Sequence, residues 1–148
     1  MSTVENVPFR LVGIETEQFA VIKENFEEGV DLGFNIESGF GLNTEVCLLQ
    51  TILKVTYGSL GKPAVILQVA VSFQIKEITF QSFKNEEGGY VFPIGLIRHL
   101  CVLSTGTLRG VLHAKLESQK GVIPTVILPT INVNELITED VKFNSEEI

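Results

Sequence analysis

The sequence predicts an α+β fold in which four strands precede one long helix and one short helix. Two patterns support this prediction. Apolar and polar residues alternate through much of residues 8–78, which is typical of half-buried strands, and the apolar spacing becomes helical after Pro93. With 148 residues, the chain is long enough for a single domain with a substantial core. We expect that core to span about residues 8–137, followed by an acidic, frayed tail at 138–148.

The first two predicted strands differ in regularity. Residues 8–22 are strand-like but do not alternate cleanly, so we expect a bulge near Gly13 or near residues 15–17. Residues 30–37 do alternate: Val30, Leu32, Phe34 and Ile36 are apolar, and the residues between them are polar or glycine.

The third and fourth predicted strands form an antiparallel hairpin. Residues 44–57 and 64–78 each carry a long apolar face, and the Gly-containing turn 58–63 separates them. The opposite face of the fourth strand is small and nearly uncharged, which fits either a solvated sheet face or a docking face. That face consists of Ala64, Ile66, Gln68, Ala70, Ser72, Gln74 and Lys76.

Two helices are predicted in the second half of the chain. The apolar spacing indicates a helix from Pro93 to about Ser118, since proline is favoured in the first turn. Asn132 with Glu135 three positions later resembles a capping box, which predicts a short helix starting near Asn132.

Composition and charge exclude several classes of protein. The formal net charge is −7 and no cluster of Lys and Arg is present, which argues against nucleic acid and anionic membranes as partners. No signal peptide is recognisable, and no apolar run approaches the roughly 18 residues of a membrane span. Cys47 and Cys101 fit reduced core thiols. We therefore expect a cytoplasmic protein without membrane insertion.

The segment 103–115 combines glycines, hydroxyl residues, Arg109 and His113, but it does not match a reactive site. Its glycines lie within a helical pattern and no strand precedes them, which excludes a phosphate loop. Ser104 lies nine residues before His113, and we expect no acid placed to orient that histidine. The prediction is a protein that is not an enzyme and has no catalytic residues, metal or cofactor.

A stripe of small residues in the long helix predicts an assembly surface. Gly106, Gly110 and Ala114 recur at every fourth position, so they lie on one helix face. Each glycine costs about 1 kcal/mol relative to alanine inside a helix. Close approach of another backbone would offset this cost, and mean hydropathy of +0.30 also favours oligomer contacts.

Over roughly residues 8–137, the chain resembles the SecB family of export chaperones. Phe92 and Pro93 match the Phe-Pro pair that precedes the long helix of the family. Gly106 and Thr107 match a Gly-Thr step late in that helix, and 123-IPTVILPTINVNELI-137 matches in outline the family segment F-P-x-L-x-L-x-P-V-N-F-D-A-L-F.

The resemblance implies a four-stranded antiparallel sheet with two helices, assembled through the long helix as a homotetramer that is a dimer of dimers. It implies a chaperone that holds unfolded or preprotein clients in apolar grooves without ATP and, in protein export, passes them to the SecA motor. Apolar residues on the less regular segments are the expected client-binding set. They are Phe19, Val21, Ile22, Phe26, Phe40, Leu42, Ile123, Val126, Val133, Leu136 and Ile137.

Three departures from the family weaken the export role. Residues 108–122 are additional, acidic positions that meet SecA fall on Gln18 and Gln68, and the acidic tail offers no counterpart for recruiting the motor. A chaperone of an antitoxin or another cytosolic client therefore remains an alternative. A non-enzymatic, oligomeric ligand-binding domain is a further alternative.

Overall fold

In the computed structural model, the described residues are 7–29, 31–59 and 61–147. Residues 1–6 lie outside them, as do Val30, Leu60 and Ile148, which belong to the predicted second strand, hairpin turn and tail.

Four long strands form one antiparallel sheet with the order β1-β4-β3-β2, which confirms the predicted α+β class. The strands are β1 (Phe9–Val21), β2 (Phe34–Asn43), β3 (Leu48–Ser59) and β4 (Lys62–Ile75). The hairpin of β3 and β4 is at the centre of the sheet, and β1 and β2 are its edges. The predicted irregularity of β1 is confirmed, because its register on β4 shifts between Leu11 and Gly13 and again between Thr16 and Gln18.

The core lies on one face of the sheet, which we call the inner face. Alternate residues of β3 are buried and point towards this face, and β4 contributes a matching row. The long helix α2 (Ile94–Leu116) contacts both strands. Its sheet-facing residues are Leu96, Ile97, Leu100, Cys101, Ser104, Thr105, Leu108 and Leu112, all of them buried.

The two predicted helices are confirmed close to their expected bounds. Pro93 precedes α2, and a short 3₁₀ helix, Glu117–Gln119, follows it. The short helix α3 (Val133–Leu136) begins after Asn132, whose side-chain oxygen accepts a hydrogen bond from the Asn134 N–H at 3.0 Å. Across the described residues, no helix is long and apolar enough to cross a membrane.

Three short elements were not predicted. A helix, α1 (Glu77–Ser82), replaces the last residues of the predicted fourth strand. Strands β5 (Tyr90–Phe92) and β6 (Val141–Phe143) pair as a small antiparallel sheet.

The expectation of a frayed tail is wrong for residues 138–147, because β6 packs its aromatic side chain into the core. Phe143 is 8% exposed, and its ring centroid lies 6.0 Å from that of Phe92. Phe92 in turn belongs to an aromatic group that includes Phe80, Phe83 and Tyr90. Burial of these rings holds in place a segment that its acidic composition alone predicted to be frayed.

Candidate functional site

The segment after α2, residues 123–140, runs back along the helix, and we call it the strap. Arg109 of α2 holds its first half: Nε donates to the Leu128 carbonyl at 2.7 Å, and Nη2 donates to the Pro129 carbonyl at 2.8 Å. The planar guanidinium is suited to binding two acceptors in fixed geometry.

The second half of the strap is held nearer the start of α2. Arg98 donates to the carbonyls of Ile137 at 3.0 Å and Asn134 at 3.3 Å. The Asp140 carboxylate accepts a hydrogen bond from the Ile94 N–H at 2.8 Å. That N–H is in the first turn of α2, where a negative charge is also favoured by the helix dipole.

A pocket of about 230 Å³ lies where α2 ends and the strap begins, and we call it the helix-end pocket. Two predicted client-binding residues, Ile123 and Val126, both line it. Its rim is apolar and open to solvent, because Ile127 is 64% exposed and the neighbouring Val122 is 57% exposed. The other lining residues are His113, Leu116, Glu117, Gln119, Lys120, Gly121, Pro124 and Thr125.

A second apolar surface follows the inner side of β2, and we call it the β2 ledge. It consists of Phe34, Ile36, Phe40 and Leu42, which are opposite inward-facing residues of β3. Phe34 is 40% exposed and the other three are half-buried. The short helix α3 contacts both β2 and α2. The ledge contains the predicted residues Phe40 and Leu42, and half-buried Leu136 lies on α3.

Four other predicted client-binding residues lie at the opposite edge of the sheet. Phe19 and Val21 are in β1, and the Lys115 ammonium lies 5.8 Å from the centroid of the Phe19 ring. Ile22 and Phe26 flank a 3₁₀ turn after β1, and all four side chains are half-buried. Because β4 and β3 separate β1 from β2, roughly 14 Å lies between the two edges. The predicted residues therefore form separate surfaces and not one groove.

Two residues of the predicted client-binding set are in the core of the chain. Val133 is 7% exposed and Ile137 is 4% exposed. Their side chains offer almost no surface to a second molecule, so they are not part of the candidate site.

The predicted assembly stripe lies on the side of α2 that faces away from the sheet. Gly106, Gly110 and Ala114 are all exposed, and apart from the adjoining helix backbone no described atom lies within 4 Å of a Cβ placed on either glycine. Val102 and Leu103, one turn earlier, are 54% and 39% exposed. Within the described part of the chain, this apolar helix face has no cover.

The outer face of the sheet is polar and largely bonded to itself. Gln50 donates to the Ser72 hydroxyl at 3.1 Å, and Gln68 donates to the Glu17 carboxylate at 2.9 Å. Arg10 donates twice to the Gln74 side-chain oxygen. This network favours the solvated-face interpretation over a docking face, since the polar groups already have partners.

The polar residues of segment 103–115 are not arranged for nucleophilic catalysis. The Ser104 hydroxyl is buried, 2.6 Å from the Thr51 hydroxyl, and donates to the Leu100 carbonyl at 2.8 Å. The expectation that no acid would orient His113 is wrong, because its Nε2 lies 3.1 Å from the Glu117 carboxylate, one helical turn later. That pair is exposed on the far side of α2 from Ser104.

Burial suppresses the chemistry of the other reactive groups. It raises the pKa of the Cys101 thiol to about 12, which keeps the sulfur protonated and unreactive at neutral pH. It also raises the pKa of Tyr57 to about 12, against the opposing charge of Arg109, and the phenol donates to the Ile127 carbonyl at 3.2 Å. Among the described residues, no group of His, Cys, Asp and Glu could hold a metal ion.

Three residues that shape the site were not predicted as functional: Arg98, Arg109 and Asp140. The two arginines are eleven residues apart, which places them on the same side of a helix after three turns. That spacing was a usable signal for two anchors of one segment. The role of Asp140 had no sequence signal, because its partner, Ile94, lies 46 residues earlier.

The long helix on one face of a four-stranded antiparallel sheet, with the strap returning along it, defines an α+β fold of the SecB-like type. Among solved structures, the chain is similar to the SecB-like chaperone Rv1957 of Mycobacterium tuberculosis, in complex with a ChAD peptide from the HigA1 antitoxin Rv1956. The likeness has a TM-score of 0.51 at 9% sequence identity and covers 83% of this chain and 90% of that chain. No protein-family model and no curated protein sequence matches the chain. The shared feature is the fold.

Proposed function

We propose that this protein is a non-enzymatic, ATP-independent chaperone that binds unfolded polypeptide on the apolar surfaces beside α2. The observation that carries the proposal is the pair formed by the helix-end pocket and the β2 ledge, whose large apolar side chains are half-buried or exposed. The structural neighbour was solved with a bound peptide, which supports a polypeptide as the client of this fold.

Burial of apolar surface supplies the binding energy in this proposal. It contributes roughly 25 cal/mol for each Å² removed from water, so several side chains acting together hold a client without nucleotide hydrolysis. Apolar burial is not screened by salt, whereas exposed charge pairs are. Binding should therefore persist at high ionic strength.

The client class has two candidates within this proposal. A peptide from an antitoxin occupies the neighbour, which favours an antitoxin or another cytosolic protein as the client. Protein export with transfer to SecA is the second candidate and rests on the sequence resemblance. Gln18 and Gln68, at the positions where the family carries acids, face each other across β1 and β4. The nearby Glu17 carboxylate accepts a hydrogen bond from Gln68 and keeps its charge, so the amides at 18 and 68 lower the acidity of this face without removing it.

We further propose that the exposed face of α2 joins copies of the chain into a homotetramer. Val102 and Leu103 would be buried there, and the backbone at Gly106 and Gly110 would allow a close contact. Replacing Gly110 with leucine should dissociate the assembly by at least one step, as measured by light scattering at micromolar concentration. Gly110→Ala is the control for helix propensity. An unchanged mass for the leucine variant, or a monomer of 16.3 kDa for the unmodified chain, would refute the assembly.

Holding activity is tested by suppression of aggregation of a chemically unfolded protein in the absence of nucleotide. Phe40→Ser and Val126→Ser alter the β2 ledge and the helix-end pocket, and each should weaken client affinity by about tenfold, the loss of one buried side chain. Phe19→Ser tests the opposite edge of the sheet and serves as the spatial control. Failure of the unmodified protein to bind the client, or binding that collapses with salt, would contradict the proposal.

A further inference from the structure

The two edges of the sheet differ in how well they could accept another strand. The edge strand β1 is interrupted twice, with register shifts at Leu11/Gly13 and Thr16/Gln18. It also carries Glu15 and Glu17, next to the exposed apolar residues Leu11, Val12 and Ile14. Bulges and charges of this kind protect an edge from pairing with other chains. By contrast, β2 pairs with β3 over ten residues without one register shift.

The hydrogen-bond pattern shows which amides of β2 face the free edge. The Gly58 N–H donates to the Gly33 carbonyl at 3.0 Å, so this pair is a hydrogen-bonded pair of the ladder. Such pairs alternate along the ladder. The residues of β2 that bond to β3 are therefore 35, 37, 39, 41 and 43, and those that point their N–H and C=O groups away from β3 are 34, 36, 38, 40 and 42. Within the described chain, no other segment forms a backbone bond to those groups.

The same alternation places apolar side chains beside the free amides. The five residues whose backbone groups point to the free edge have their side chains on the inner face of the sheet. Four of them form the β2 ledge, namely Phe34, Ile36, Phe40 and Leu42, and the fifth is Ser38. Gly39 and Gly41 lie on the outer face, where they add no bulk to the edge. A strand added at this edge would extend the hydrogen-bonded sheet and, on its inner side, continue the apolar ledge.

The charge around β2 decides between a second copy of the chain and a foreign polypeptide. Residues 24–53 contain six acidic residues and no Lys, Arg or His. They are Glu24, Glu27, Glu28, Asp31, Glu37 and Glu45. Only Glu37 of the six lies in β2, and Lys54 of β3 is opposite it. Pairing β2 with β2 of a second copy would bring the two acidic sets together with Lys54 as the one cation in register with the strand, and like charges across a strand pair are destabilising. A segment without carboxylates avoids this repulsion.

We propose that β2 binds an extended, non-acidic segment of an unfolded polypeptide as a fifth strand of the sheet. This inference rests on the proposed holding function and specifies how the client is bound. Backbone bonds then supply affinity that is independent of client sequence, and the ledge selects apolar side chains at every second client position.

The test compares Ser38→Pro with Ser38→Ala, using reduced, carboxamidomethylated ribonuclease A as the unfolded probe. Proline removes an N–H that makes no bond within the sheet, and its ring blocks approach to the edge. We expect the proline variant to bind the probe at least about tenfold more weakly than the alanine variant. Equal affinity of the two variants, both folded, would overturn the inference.

Amide hydrogen exchange of the unmodified protein gives a second test that needs no folded proline variant. On binding the probe, the amides of residues 34, 36, 38, 40 and 42 should exchange more slowly, while the amides bonded to β3 change little. Binding without this protection would overturn strand addition and leave the holding function standing. If the unmodified protein does not bind the probe, the holding function itself fails. Self-association through β2, detected as the same protection without probe, would also contradict the inference.

Discussion

The two faces of α2 are both apolar, but only one of them is covered by the described residues of this chain. Towards the sheet, Leu100, Leu108 and Leu112 are completely buried. On the opposite side, Val102 and Leu103 are more than a third exposed, beside two glycines with open space around them. The buried face has large side chains that fill a fixed volume, whereas the exposed face has small residues that leave the backbone accessible. One helix therefore has a core-facing side and an uncovered side, and the uncovered side is the one proposed for association.

The largest effect should come from truncating the buried face. Leu108→Ala removes a fully buried side chain and should destabilise the protein by about 2–5 kcal/mol. Leu103→Ala is the matched control on the exposed face and should change stability by less than about 1 kcal/mol. Urea unfolding of both variants under conditions that favour the monomer measures the contrast, and similar losses would show that the two faces are equally covered.

A smaller effect is expected from the buried hydroxyl pair between β3 and α2. Ser104→Ala leaves the Thr51 hydroxyl without its 2.6 Å partner, which should cost about 1–3 kcal/mol. Adding Thr51→Val should recover part of that loss, because the second unsatisfied group is then removed as well. A double variant less stable than the sum of the two single variants would rule out this account.

Gly106→Ala lies on the exposed face of α2 and should raise stability, in contrast with Leu108→Ala and Ser104→Ala. Alanine should stabilise the helix by about 1 kcal/mol, since no described residue outside the adjoining helix backbone lies near the added methyl group. Thermal unfolding measured under conditions that favour the monomer should show this gain. A loss of stability there would mean that the face is tightly covered even in the single chain.

The smallest effect on stability should come from a cysteine placed next to Cys101 on the exposed face. Burial raises the pKa of Cys101 to about 12, so about 10⁻⁴ of it is thiolate at pH 8. Val102→Cys introduces a thiol at a position that is 54% exposed, where a pKa near 8.5 is ordinary. Under conditions that favour the monomer, a thiol reagent should label residue 102 rapidly and leave Cys101 unreacted until the protein unfolds. Fast labelling of both would contradict the burial of Cys101.

Elements longer than about ten residues were predictable because their apolar period repeats several times. The long strands of the hairpin and the helix from Pro93 followed from that repetition, and the irregularity of β1 followed from its interruption. β5 and β6 are three residues each, too short for a period to show, and their pairing joins residues about fifty positions apart. The sequence prediction therefore followed the acidic composition of the tail and missed the burial of Phe143.

The candidate site was only partly predictable for a related reason. Pattern identified Phe40, Leu42, Ile123 and Val126 as apolar residues in irregular segments, which is wrong for Phe40 and Leu42 because they lie in the regularly paired strand β2. It could not distinguish them from Val133 and Ile137, which have the same chemistry but are buried. Nor could it separate residues of β1 from residues of β2, because the order of strands in the sheet depends on long-range pairing.

The anchoring of the strap bears on how far the sequence can drift. Arg98 and Arg109 bind four carbonyl oxygens of the backbone, which every amino acid possesses. Substitutions at positions 128, 129, 134 and 137 leave those acceptors in place, so the four bonds do not depend on strap side chains, although Leu128 and Ile137 are also buried in the core. The exposed side chains of the strap are then free to vary without loss of these four bonds.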